Sequence, residues 1–168
     1  MSLTIFDASI PVFVRMLNNL SAILKKGQES AEARGIDPLV LTAARLAPDM
    51  FPLTRQVQIA CDAAKGAAAR LAGVEIPSHP DTETSFADLQ ARIAATIAFL
   101  ETLTPEQLAG AESRSVTLKM QGTDFTFTGQ TLLFNLAMPN FYFHVSTAYD
   151  ILRHNGVPVG KRDLLGAA

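Results

Sequence analysis

Residues Asn135–Asp163 read NLAMPNFYFHVSTAYDILRHNGVPVGKRD. The stretch from about Gln130 to His154 has a helical pattern, and Gly156 is placed as its C′ stop. It carries His144 and His154, both tyrosines (Tyr142 and Tyr149), and Pro139 in mid-pattern. A proline has no N–H for the carbonyl of Asn135, and its ring pushes that carbonyl aside. The sequence therefore predicts either a kink at Pro139 or a first short helix ending at Met138. Asn140 and His144 are four apart, so they project from one face a turn apart. His144 and His154 are ten apart, nearly three turns, and cannot share one metal ion. Asp150 and His154 read as an i, i+4 ion pair near the helix C-terminus.

Outward from this segment, Ser115–Thr128 alternates in strand fashion. Val116, Leu118 and Met120 precede a turn at Gln121-Gly122-Thr123-Asp124, and Phe125 and Phe127 follow it. A lone hairpin is marginal, so it is expected to pack on helices. Upstream the chain is helical. Phe13, Met16, Leu17, Leu20, Ile23 and Leu24 recur at three- and four-residue steps, with Ser9 as the expected N-cap. Asp37-Pro38 starts a short helix over Leu39–Leu46. A long helix runs from about Pro52 to Leu71, and Gly73–Glu83 is a loop in which His79 is expected to be solvated. Ser85 caps a helix carrying Phe86, Leu89, Ile93, Ile97 and Leu100. Four long helices, short connections and one hairpin before the last helix predict an all-α four-helix bundle in a single domain over residues 1–168.

Composition narrows the function classes. The 168 residues carry a formal net charge of −2 with no basic run longer than Lys25-Lys26, which argues against nucleic acid or an acidic membrane as partner. No segment approaches the roughly 20 apolar residues of a membrane span. The start MSLTIFDASIP lacks the basic region of a secretory signal. The single Cys61 can form no internal disulfide. A cytoplasmic protein is the expectation. No phosphate loop, CxxC pair, HExxH motif or nucleophile elbow is present.

The C-terminal segment and the helix order resemble the DinB/YfiT-like superfamily of metalloenzymes, and within it a bacterial branch known as a domain of unknown function. Many members carry His-x-x-x-His on the last helix, followed by Leu-Arg-x-x-Gly, and a third histidine on the second long helix. The three hold a divalent metal, which some relatives use in thiol transfer or thiol-dependent isomerisation. Anchoring on Leu152-Arg153-His154-Asn155-Gly156 puts His144 on the second histidine and Asn140 on the first. The third falls near Gln58 in QVQIACD, with Gln56 or Asp62 as other registers. Two of three ligand positions are then carboxamides, whose neutral oxygens are weak donors for zinc or nickel.

The resemblance implies a DinB-like bundle with a degenerate metal-site pocket that binds a small molecule. His144 would be its base or sole strong ligand, Asn140 and Gln58 would orient the ligand, and Tyr142 and Tyr149 would stand nearby. Those three side chains are expected to converge on one cavity. The alternatives are a metal-dependent thiol transferase and a non-catalytic homodimer joined through apolar residues of the first helix or the hairpin.

Overall fold

The structure, a computed structural model, describes residues 3–166. Helix α1 spans Ile5–Ala33, α2 Pro38–Thr42, α3 Leu53–Ala72 and α4 Phe86–Glu101. A two-stranded antiparallel sheet follows, β1 Ser115–Met120 and β2 Thr123–Thr128. The chain then enters a last helical run. This comprises α5 Gly129–Thr131, a π-helical stretch Leu132–Ala137, and α6 Met138–His154, followed by a short α7 Lys161–Leu165. The four long helices pack in a ring, α1 on α4, α4 on α3, α3 on α6 and α6 on α1.

The apolar stripe read on α1 is the stripe that packs. Phe13, Leu17, Leu20, Ile23 and Leu24 are fully buried, and Phe141 of α6 meets Phe13 edge-on at 5.0 Å between ring centroids. The start of α1 differs from expectation. Thr4, not Ser9, is the N-cap, because Thr4 and Asp7 form a reciprocal capping box. Ser9 lies inside the helix, where its buried hydroxyl donates to the carbonyl of Ile5 at 2.6 Å. For α4 the expected cap holds: Ser85 accepts from the backbone of Asp88. The short α2 ends at Thr42, four residues before the predicted limit.

The hairpin turns on Gln121 and Gly122, both at positive φ (49° and 83°), the two-residue turn whose twist matches the strands. Its pairing puts Val116 opposite Phe127 and Leu118 opposite Phe125, so the apolar residues share one face. Burial fades along that face, from Val116 at the base to Phe125, which is 45% exposed. The hairpin packs on the bundle at its root and not along its length.

Neither alternative read at Pro139 describes the last helix fully. The helical run continues through the proline, but the turn before it widens to π geometry, with the N–H of Met138 reaching back five residues to Leu133. The wider turn accommodates a ring that carries no N–H. Gly156, at φ 81°, closes the helix as read. Helix α7 is an element the sequence reading missed. It is tied to α1 by Lys26 and Asp163, 2.6 Å apart. No helix among the described residues is long and apolar enough to cross a membrane.

Candidate functional site

His144 faces α3 across the α3–α6 packing seam. It is buried to all but 7% of its surface, and its Nδ1 lies 2.6 Å from Oε1 of Gln56. The amide of Gln56 is fixed at its other end, where Nε2 donates to the carbonyl of Phe51 at 2.9 Å. An amide oxygen can only accept, so Nδ1 carries the proton and donates. Burial, and then the nearby charge of Arg55, push the pKa of His144 below its ordinary value. The ring is therefore neutral at pH 7 and Nε2 holds a free lone pair. Among the described residues Nε2 has no hydrogen-bond partner, and it is not fully sealed from the surface.

An aromatic ring stands beside the imidazole. Phe143 stands edge-on to the imidazole at 5.1 Å, and Phe143 and Phe51 are 53% and 55% exposed. Tyr142, 37% exposed, packs its ring edge-on to Phe141 at 5.7 Å. Tyr149 is half-buried against the core. Asn140 is exposed one turn before His144. Among the described residues, the one hydrogen bond of the His144 imidazole is to Gln56, and neither tyrosine nor Asn140 joins it.

Gln58 sits on another face of α3. Its Nε2 donates to Glu83 at 2.8 Å and its Oε1 accepts from Arg55 at 3.1 Å. The structure thus brings His144 together with Gln56, the other register read from the sequence, while the amide of Gln58 is engaged elsewhere. A cavity of about 560 Å³ is present at the start of α1, lined among others by Phe6, Leu108, Gln130 and Phe134. None of the expected site residues lines it.

Gln58 belongs to a charged cluster that the sequence reading did not assemble. At its centre is Arg92 of α4, whose side chain is 1% exposed. Its guanidinium meets Asp62 of α3 at 2.9 Å, and Asp81 and Glu83 of the 73–85 loop at 3.0 and 2.8 Å. Lys65, also buried, lies 3.1 Å from Asp62, and Arg55 pairs with Asp81. Burial acts to raise the pKa of Glu83, but the hydrogen bonds from Arg92 and Gln58 outweigh it and hold the carboxyl below its usual value. Among the described residues two sealed polar atoms lack a partner, Nε of Arg92 and Nδ1 of His79. His79 is thus half-buried rather than solvated; burial and then the charges of Lys65 and Arg92 lower its pKa. A signal for the cluster was present. Arg92 falls three residues after Leu89 and one before Ile93, inside the apolar stripe of α4.

Two other readings resolve plainly. Burial pushes the Cys61 thiol up to about 12, which leaves it protonated and unreactive. Asp150 and His154 make no ion pair among the described residues.

The donor set does not suit a triple-histidine metal. Around His144 the expected partners are carboxamides, and Oε1 of Gln56 is already taken by the Nδ1 proton. Among the described residues no three His, Cys, Asp or Glu side chains are grouped to hold a metal ion.

The family profile described as "Domain of unknown function (DUF1993)" matches residues 5–165. Among solved structures, the chain is similar to a DinB family member protein from Shewanella denitrificans. The two are 45% identical, the match covers 97% of this chain and 92% of that one, and the TM-score is 0.91. Among curated proteins none matches.

Proposed function

The chain belongs to the DUF1993 family, a DinB-like branch of unknown function, and we propose that it binds a small molecule at His144 without a resident metal. One observation carries this reading: the buried hydrogen bond between His144 Nδ1 and Gln56 Oε1. It leaves a neutral imidazole whose Nε2 lone pair is not sealed in, beside the exposed ring of Phe143. Such a nitrogen accepts a hydrogen bond, or a proton, from a bound molecule at neutral pH. Asn140, exposed a turn away on the same face, is a polar group available to orient that molecule. Gln58, engaged by Glu83 and Arg55, is not free for this task.

Elemental mass spectrometry of protein purified without an affinity tag tests the reading. The wild type and His144→Ala should both contain far less than one equivalent of any transition metal. Near-stoichiometric metal in the wild type, lost in His144→Ala, would favour a metal-dependent enzyme of the thiol-transferase kind instead.

A second reading is favoured by the hairpin. Its apolar face is only partly covered by the bundle, and Phe125 stands 45% exposed near its tip. A second copy of the chain docking there would make a homodimer. Sedimentation at high concentration should then show a dimer that Phe125→Ser weakens; a strict monomer would remove this reading.

A further inference from the structure

Resting on the His144 reading, we propose that the site selects a small carboxylate with a hydrogen-bond donor beside it and an apolar body, Arg55 being the anchor for the anion. Arg55 is the chain neighbour of Gln56, the residue that holds His144. Its guanidinium carbon lies 5.9 Å from the ring centre of Phe51, whose carbonyl anchors the same amide. Arg55 is thus linked to His144 through Phe51 and Gln56, and its charge reaches the imidazole. Among the described residues the hydrogen bonds of Arg55 run through Nη1 alone, to Gln58 and Asp81, so Nη2 and Nε have no acceptor there. Its side chain is 37% exposed.

The chemistry of the two groups sets the ligand class. The lone pair at Nε2 repels a bare carboxylate and calls for a hydroxyl or amide N–H. The guanidinium calls for an anion, best a carboxylate gripped by two N–H groups. The exposed rings of Phe51 and Phe143 suit an apolar body. Asp81 already pairs with Arg55 but is shared with Arg92 at 3.0 Å. When Arg55 turns to a ligand, Asp81 therefore keeps a cationic partner.

Mandelate is the probe, since it joins a carboxylate, an adjacent hydroxyl and a phenyl ring. Mandelamide is its neutral control. Binding is followed through the His144 imidazole signals by NMR. Mandelate should bind at least about 10-fold more tightly than mandelamide, the range expected of a charge-assisted hydrogen bond. Arg55→Met should abolish that preference, and Arg55→Lys should retain part of it. Asp81→Asn, which frees Arg55 from its competitor, should tighten mandelate binding, a gain that a merely structural role would not produce. Equal binding of both probes with the His144 signals moved would overturn the anion selectivity and leave the His144 reading standing. Unmoved His144 signals with both probes would overturn the two together.

Discussion

The amide of Gln56 is held at both ends, by the Phe51 carbonyl and the His144 N–H, so it dictates which imidazole nitrogen faces outward. That dependence can be read as a titration. In the wild type, burial and Arg55 depress the pKa of His144 below 6.5. The unfolded chain then takes up a proton that the folded chain resists. Stability should therefore be full above pH 6.5 and decline as the pH falls below it. Gln56→Glu puts a carboxylate on Nδ1 and should raise the His144 pKa, by about one unit or more for an opposite charge in contact. NMR titration of the imidazole checks the direction, and an unchanged or lower value would remove Gln56 as its controlling partner. The sequence carried part of this pair. Gln56 falls between Leu53 and Val57 on an apolar stripe, and that is a signal of a buried polar group. His144 was legible by its aromatic company. Which glutamine meets it was not, because Gln56 and Gln58 point to different faces of one helix and only the rotation of α3 against α6 decides between them.

At the scale of elements, local chemistry set what could be read. The stripe of α1, the Ser85 cap and the Gln121-Gly122 turn depend on residues close in the chain. Helix α7 depends on a distant one. It is tied down by a contact between Lys26 and Asp163. The entry into α5 depends on Gly129, where an added Cβ would fall 1.9 Å from the carbonyl oxygen of Ala111. A backbone oxygen cannot swing aside as a side chain can. Gly129→Ala should destabilise the protein by about 1–3 kcal/mol, the usual cost of overpacking, with urea denaturation as the measurement. A change within about 0.5 kcal/mol, as at an ordinary surface site, would mean the junction yields freely.

For the whole molecule, the ring of four helices creates two polar seams on α3. One joins Gln56 to His144 of α6, and the other joins Asp62 and Lys65 to Arg92 of α4. Arg55 borders both, through its charge on His144 and its pairing with Asp81. The bundle was legible from four amphipathic stretches and their short connections. The second seam was not, because its carboxylates come from a helix and a Pro-rich loop that meet only in the folded chain. In this arrangement an imidazole and a carboxamide pair directly across the α3–α6 seam. The most direct test is the ¹⁵N spectrum of the His144 imidazole at pH 7.5, recorded before and after one equivalent of zinc. The expected result is a neutral ring protonated at Nδ1, with an unprotonated Nε2 whose signal zinc does not move. A ring protonated at Nε2, or a stoichiometric zinc shift at His144 that is lost on adding a chelator, would contradict it.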